Sequence, residues 1–333
     1  MPPSNPRIAC WPDVGDRIGR LRDAAGPAEL ASVRSEADAI VAARDADAFI
    51  GRMTPAILAG CRRLRWVQCP TASLEHYVFP ELIAHPSTLT NAAGLFGDVV
   101  AEHTLGLLLS FTRNLHLYRD RQRSGEARKV GGGDGPPDFA AGPAVATEVD
   151  RRHVRLADWT IAVVGMGDIG RAVAKAVSRF GAAVVGVDPV PRDGFDVRPP
   201  GRVDEAVAGA DAVVLACPHT PATEGWFDAA RFAAMKAGAV LVNVGRGAVV
   251  RTDELCDAID AGHLRGAALD VLEDEPPPPG HRLWTTPEVI LTPHVAAASE
   301  VVAERHLELL CDNLARFAAG RPPRNVVDKS AWA

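Results

Sequence analysis

The chain has no run of about eighteen consecutive apolar residues, the length that a membrane-spanning helix requires. Its first residues, MPPSNPRIAC, lack the basic and long apolar segments of a secretory signal peptide. A net charge of −6 gives no electrostatic reason to expect nucleic acid as a partner. These absences predict a cytoplasmic protein without a membrane or nucleic-acid partner.

Paired cysteine patterns are also missing. The six cysteines show neither a CxxC pair nor a Cys/His ligand spacing, and they are Cys10, Cys61, Cys69, Cys217, Cys256 and Cys311. The sequence therefore predicts reduced thiols, no disulfide framework and no metal site.

What remains is the composition of an ordinary globular protein. Hydrophobic residues make up 47% and charged residues 23% of the 333 positions. A chain of this length has room for two domains with substantial cores.

The most informative stretch begins at Thr160 and reads TIAVVGMGDIG. A short run of small and β-branched residues is typical of a buried parallel strand. Gly165 then allows a tight turn, Gly167 allows a backbone to approach a pyrophosphate, and Gly170 allows the next helix to pack closely. The helix, predicted over 168–180, would point its N-terminal N–H groups at the phosphates.

A second apolar strand, Ala183 to Val187, ends in Asp188. A carboxylate at this position accepts hydrogen bonds from ribose hydroxyls and repels a 2′-phosphate, which favours NAD over NADP. Because of Arg192, four residues later, NADP remains an alternative cofactor.

Alternating strands and helices predict an α/β protein with two doubly wound parallel sheets. In the N-terminal part the predicted strands are 7–10, 48–51, 66–69 and 88–90, with helices over 17–25 and 32–43. This part has no phosphate-binding glycine pattern. A long helix over 98–124 is expected to bridge two domains, and His103 within it is expected to be a packing residue. The Gly/Pro-rich residues 131–150 predict a flexible segment.

Polar residues follow several predicted strands of the second sheet, where ligands bind in doubly wound folds. Arg246 offers permanent charge and bidentate recognition of a substrate oxyanion or carboxylate. His294 is a natural acid/base, and Glu275 can stabilise its charged form. Together they predict hydride transfer between a nicotinamide and a ketone. The helix over 252–261 is expected to be capped by Thr252.

In these segments the chain resembles the D-isomer-specific 2-hydroxyacid dehydrogenases. The resemblance rests on NAAGLFGDVVAEHTLGLLLSFTRN, VVGMGDIG, ACPHT, NVGRGAVV, ALDVLEDEP and LTPHVAA, in the order of the family. It implies a Rossmann NAD-binding domain, residues 97–296, inserted in a flavodoxin-like substrate domain of residues 1–96 and 297–333. It also implies a homodimer.

The resemblance further implies a catalytic set of Arg246, Glu275 and His294. The N–H groups of Ala72 and Ser73 would bind the substrate carboxylate together with Arg246 and His294. The cofactor-binding residues would be Val100, Gly165, Met166, Gly167, Asp168, Ile169, Gly170, Asp188, Pro218, Thr220, Val244 and Asp270. Two departures concern the substrate: Ser73 stands where the family usually has glycine, and Ala297 replaces another common glycine.

The expected function is thus an NAD-dependent oxidoreductase that interconverts a D-2-hydroxy acid and its 2-keto acid, with His294 as acid/base. One alternative is an NAD(H)-sensing corepressor-like protein of the same fold. A second is a formate dehydrogenase-like activity, which by resemblance uses glutamine where this chain has Glu275.

Overall fold

The computed structural model describes residues 5–132 and 144–329. The chain forms two compact units: the described residues up to Leu95 together with those from Ser299 onward, and Phe96–Ala298. The boundaries expected from the sequence, at residues 96 and 297, lie beside these. Within the described ranges each unit contains one multistranded sheet, and every strand pair within the two sheets is parallel.

The first unit contains five strands in the order β2-β1-β3-β4-β5, the flavodoxin-like order. They are β1 (Arg7–Trp11), β2 (Glu29–Ser32), β3 (Ala48–Gly51), β4 (Trp66–Gln68) and β5 (Thr88–Thr90). Alternate side chains of these strands enter apolar clusters on opposite faces of the sheet, as period-two geometry requires.

The second unit contains seven strands in the order β12-β11-β10-β9-β6-β7-β8. They are β6 (Thr160–Val164), β7 (Ala183–Val187), β8 (Asp196–Arg198), β9 (Ala212–Leu215), β10 (Val240–Asn243), β11 (Gly266–Leu269) and β12 (Val289–Leu291). The strand order reverses between β6 and β9, which is the topological switch point of a Rossmann sheet. The predicted fold class is confirmed.

Helices connect the strands and cover the sheets. They are α1 (Ile18–Ala25), α2 (Glu36–Ala43), α3 (Pro55–Gly60), α4 (Pro80–Ala84), α5 (Gly97–Thr112), α6 (Leu115–Ser124), α7 (Glu148–Arg152), α8 (Asp168–Arg179), α9 (Val203–Ala208), α10 (Ala229–Ala234), α11 (Thr252–Asp260) and α12 (Glu300–Ala318). Among the described residues, no helix combines the length and apolar character needed to cross a membrane.

The single long helix expected over residues 98–124 is wrong, because the chain breaks between α5 and α6. Asn114 is buried and adopts a left-handed conformation with φ 56°. Its Nδ2 donates to the carbonyl oxygen of Arg152 at 2.8 Å, and its Oδ1 accepts from Arg265 at 2.8 Å. Asparagine tolerates this backbone conformation, and the two hydrogen bonds hold it in place.

Two other local expectations are wrong. Ser32, expected in a helix, ends the strand β2, which pairs along β1 with only one buried side chain, Leu30. Thr252 is the first residue of α11 rather than its N-cap. Its backbone N–H donates instead to the carboxylate of Glu273 at 3.2 Å, so a side chain from elsewhere in the chain caps this helix.

Residues 133–143 of the Gly/Pro-rich segment 131–150 lie outside the described residues. At its end the expectation is wrong, since α7 already begins at Glu148. The side chain of Thr147 accepts from the N–H of Asp150, whose carboxylate accepts from the N–H of Thr147 at 2.8 Å. This reciprocal capping box starts a helix that composition alone does not reveal.

We expect Asn114→Ala to lower the free energy of unfolding by about 3 kcal/mol, because it loses two hydrogen bonds and places alanine in a left-handed conformation. Urea unfolding measures the difference. Asn114→Gly is the matched control: it tolerates the backbone and loses only the hydrogen bonds, so its loss is smaller. Equal losses would show that the backbone conformation contributes nothing.

Candidate active site

The turn after β6 has no room for side chains at two of its three glycines. Gly165 has φ 91°, and an added Cβ would lie 2.5 Å from the backbone nitrogen of Cys217. At Gly170 an added Cβ would lie 1.9 Å from the carbonyl oxygen of Gly165. At Gly167 it would meet no heavy atom of the described residues within 4 Å. The turn is therefore closed on the protein side and open on the other, at the N-terminus of α8.

Asp188 holds this turn from the end of β7. Its Oδ2 accepts from the N–H of Met166 at 2.8 Å, and its Oδ1 accepts from the N–H of Val190 at 2.9 Å. Arg192 donates to the same Oδ1 at 3.3 Å, while the Nε of Arg192 is buried without a partner among the described residues. Asp168, the first residue of α8, pairs with Arg171.

The other predicted cofactor residues, on helices and at strand ends, also belong to this unit. Val100, Met166 and Val244 are buried in one apolar cluster, against which Ile169 packs. The carbonyl oxygen of Pro218 accepts from Thr223, whose hydroxyl in turn accepts from the N–H of Thr220 at 2.8 Å.

Cys217, beside the glycine turn, is a buried thiol. Burial raises the pKa of Cys217 to about 11. The thiol therefore stays protonated at neutral pH, and Cys217 contributes packing rather than a nucleophile.

The loop after β10 presents Arg246. Buried Asn243 shapes this loop: its Nδ2 donates to the carbonyl oxygen of Arg246 at 3.0 Å, and its Oδ1 accepts from Gly245 at 3.1 Å. At Gly247 an added Cβ would lie 1.7 Å from the carbonyl oxygen of Leu272. The lack of a side chain at Gly247 thus lets the Arg246 loop pack against the loop that leads to Glu275.

Glu275 and His294 form a direct pair. The Nδ1 of His294 lies 2.9 Å from Oε2 of Glu275, and Oε1 of Glu275 accepts from the N–H of Leu272 at 2.9 Å. The imidazole is 54% exposed and the carboxylate 38%. Because the pair uses Nδ1, Nε2 of His294 remains available to a ligand.

The backbone of His294 is left-handed, with φ 53°, and Asp270 stabilises this turn. Asp270 is 3% exposed, and its Oδ1 accepts from the N–H of Val295 at 2.9 Å while its Oδ2 accepts from Ala296 at 2.9 Å. The hydroxyl of Thr292 also donates to Oδ1, at 2.6 Å.

His103 of α5 completes this network. The hydroxyl of Thr292 has one proton, which it donates to Asp270. Nε2 of His103 lies 3.2 Å from the oxygen of the same hydroxyl and therefore acts as the hydrogen-bond donor in that contact. His103 is thus hydrogen-bonded within the unit rather than a ligand residue.

The second unit thereby holds the glycine turn, Asp188, Arg246, Asp270, Glu275 and His294. Ala72 and Ser73 belong to the first unit, in the loop after β4. Sequence reasoning missed the supporting roles of Asn243, Thr292 and His103. A polar residue that ends a buried strand, such as Asn243, was an available signal; for the contact between His103 and Thr292 there was none.

The strand order and the glycine turn define a Rossmann dinucleotide-binding domain. Residues 105–296 match the family model described as "D-isomer specific 2-hydroxyacid dehydrogenase, NAD binding domain". The chain belongs to this family.

Sequence relatives support the assignment to this family. A glyoxylate reductase of Thermofilum pendens is 32% identical over 86% of this chain and 82% of its own length. A D-lactate dehydrogenase of Streptococcus pyogenes is 30% identical over 79% of each chain.

Solved structures show the same architecture. An NADPH-dependent glyoxylate/hydroxypyruvate reductase of Sinorhizobium meliloti, in complex with NADP and sulfate, is 26% identical with a TM-score of 0.76 and coverage of 99% of both chains. A D-lactate dehydrogenase of Aquifex aeolicus, complexed with NAD and lactic acid, shares the fold at 22% identity, with a TM-score of 0.71 and coverage of 94% of this chain and 96% of its own.

We expect Gly247→Ala to lower the free energy of unfolding by about 2 kcal/mol or more, because the added methyl group overlaps the carbonyl oxygen of Leu272. Chemical denaturation provides the measurement. Gly209→Ala is the matched control, since its Cβ meets no atom within 4 Å in the part of the chain that the structure describes, and its φ is −97°. Equal stability of the two variants would contradict the close approach of the two loops.

Proposed function

We propose that the protein interconverts a D-2-hydroxy acid and its 2-keto acid with a nicotinamide dinucleotide as redox partner. The observation that carries the proposal is the hydrogen-bonded Glu275–His294 pair, located at the carboxyl edge of a sheet whose glycine turn is open to a pyrophosphate. The family match supports the reaction class.

The residues around the turn fit the cofactor. The N–H groups at the start of α8 and the open backbone at Gly167 suit the pyrophosphate, and Asp188 suits the adenosine ribose. The apolar cluster of Val100, Met166 and Val244 lies in the same unit, with Pro218, Thr220 and Asp270 at the adjacent strand ends. When bound, the nicotinamide supplies or accepts the hydride.

His294 is the acid/base in this scheme. During reduction, its Nε2–H donates the proton to the substrate oxygen, while Nδ1 keeps its hydrogen bond to Glu275. The Glu275 carboxylate stabilises the imidazolium and fixes the ring. In the oxidative direction the same nitrogen accepts the proton of the substrate hydroxyl. Arg246 binds the substrate carboxylate and the oxygen at which negative charge develops.

The N–H groups of Ala72 and Ser73 are our further candidates for the substrate carboxylate. Within the part of the chain that the structure describes, neither group donates to an acceptor. Backbone N–H groups without a partner are available to bind an anion. Ser73, in place of the usual glycine, adds a side chain at this position.

For the cofactor we propose NAD rather than NADP. A carboxylate at Asp188 disfavours a 2′-phosphate, although the guanidinium of Arg192 lies against it. The relatives differ: the Sinorhizobium structure holds NADP and the Aquifex structure NAD. We also retain the homodimer as a proposal.

We expect His294→Asn to lower kcat for 2-keto acid reduction by ~10²–10⁴-fold, because it removes the acid/base while asparagine tolerates the left-handed backbone. NADH oxidation is screened over glyoxylate, hydroxypyruvate, pyruvate, phenylpyruvate and longer 2-keto acids. NADH affinity, measured by fluorescence titration, stays close to that of the wild type.

His116→Asn is the control for this variant, since His116 packs against Phe111 outside the site. An unchanged kcat in His294→Asn rules out His294 as the acid/base. Tight NADH binding by a wild type that reduces no compound in the panel would favour the cofactor-sensing alternative.

We expect the wild type to prefer NADH over NADPH in kcat/KM by about tenfold or more, a ratio that corresponds to about 1.4 kcal/mol. Asp188→Asn reduces the ratio, because it removes the negative charge that opposes the phosphate while it keeps one acceptor oxygen. Arg192→Ala increases it. Steady-state kinetics with both cofactors measure the ratios, and a wild type that prefers NADPH contradicts the proposal.

A further inference from the structure

The loop Thr71–Ser73 has three consecutive carbonyl oxygens that all accept hydrogen bonds. Those of Thr71 and Ala72 accept from the N–H of Ala92 at 2.9 Å and from Nδ2 of Asn91 at 2.7 Å, respectively. That of Ser73 accepts from the hydroxyl of Thr71. Hydrogen bonds to these three carbonyl oxygens thus hold the loop in place.

This arrangement determines where the N–H groups point. In a trans peptide, the carbonyl of one residue and the N–H of the next point in opposite directions. The bond from Ala92 to Thr71 therefore turns the N–H of Ala72 away from residues 91–92. In the same way, the bond from Asn91 to Ala72 turns the N–H of Ser73 away from them. Asn91 is the side chain that orients the second of the two donors.

Asn91 is held in turn by the C-terminal tail. Its Oδ1 accepts from the N–H of Ala93 at 3.2 Å, and its backbone N–H donates to the carbonyl oxygen of Asn325 at 3.1 Å. The Nδ2 of Asn325 donates to the carbonyl oxygen of Ala93 at 2.8 Å. Asn325 has φ 56°, a conformation that asparagine tolerates. The N–H of Val327 donates to the carbonyl oxygen of Leu89 at 2.8 Å, so the tail continues along β5.

We propose that Asn91 and Asn325 are positioning residues for the substrate carboxylate, so that the C-terminal tail contributes to the substrate site through Asn325. The inference rests on the proposed function, in which Ala72 and Ser73 bind that carboxylate. Asn91 acts on the substrate through the peptide plane between these two residues, and Asn325 acts through Asn91.

We expect Asn91→Ala to raise KM for the 2-keto acid about tenfold, as the loss of one well-placed hydrogen bond would do. The KM for NADH and the kcat at saturating substrate change little, because the acid/base pair lies in the other unit. Asn91→Asp raises KM further, since a carboxylate cannot donate to Ala72 and repels the substrate anion. Asn325→Gly keeps the left-handed backbone, loses the side chain and gives a smaller rise.

Thr54→Ala is the matched control for stability. Thr54 caps α3 in the same unit, where its hydroxyl accepts from the N–H of Ile57 at 3.3 Å, and its removal lowers stability by about 1 kcal/mol. This variant is expected to keep the wild-type KM for the 2-keto acid. A similar KM rise in Thr54→Ala and Asn91→Ala would show a general loss of stability and overturn the inference.

A second measurement does not require turnover. The chain has ten serines, few enough for the amide signal of Ser73 to be assigned in ¹⁵N-serine-labelled protein with Ser73→Ala as reference. Titration with oxalate is expected to shift this signal in the wild type and to shift it less in Asn91→Ala. Equal shifts in both proteins overturn the positioning role.

The two failures are distinguishable. A wild type that reduces 2-keto acids, with an Asn91→Ala variant of unchanged KM, overturns the positioning role and leaves the proposed function intact. A wild type without reductase activity overturns the proposed function. The oxalate titration then still decides whether Asn91 orients an anion-binding loop.

Discussion

The candidate site depends on the hydrogen bonds that the buried carboxylate of Asp270 accepts. This carboxylate accepts from two successive N–H groups, those of Val295 and Ala296, and from the hydroxyl of Thr292. These bonds stabilise a turn in which His294 adopts a left-handed backbone, a conformation that non-glycine residues rarely adopt. The carboxylate that follows one strand thereby stabilises the turn that holds His294 after the neighbouring strand.

Close backbone approaches impose the second constraint. Gly170 packs on the carbonyl oxygen of Gly165, and Gly247 packs on that of Leu272. The first contact places the start of α8 against β6, and the second joins the loops of Arg246 and Glu275. Both contacts require the absence of a Cβ. At Gly247 this brings together two loops whose residues lie 25 positions apart in the sequence. The site is therefore determined as much by missing side chains as by reactive ones.

Much of the fold was predictable because its signals are local. The buried parallel strands appear as short apolar runs, and Arg246 and His294 each lie three residues after the end of such a strand. The helix break at Asn114 was not predictable, since apolar residues keep helical spacing on both sides of it. The same holds for the capping of α11 by Glu273 and for the bond between His103 and Thr292, whose partners are distant in sequence. Tertiary contacts determine these features, and such contacts cannot be derived from a single sequence.

Under the proposed function, the residues divide between the two units by chemical task. His294, Glu275 and the glycine turn belong to one unit and are linked through Asp270, Asp188 and the sheet, so the proposed proton transfer and cofactor binding would share one framework. Ala72 and Ser73 belong to the other unit, where hydrogen bonds to their loop come from Asn91 and, through it, from the tail. Among the described residues the two hydrogen-bond networks share no residue. Under the proposed function, changes in the Ala72–Ser73 loop would therefore alter substrate affinity, whereas changes around Asp270 would alter the chemical step. A change of substrate preference at Ser73 would then leave the Glu275–His294 pair unchanged.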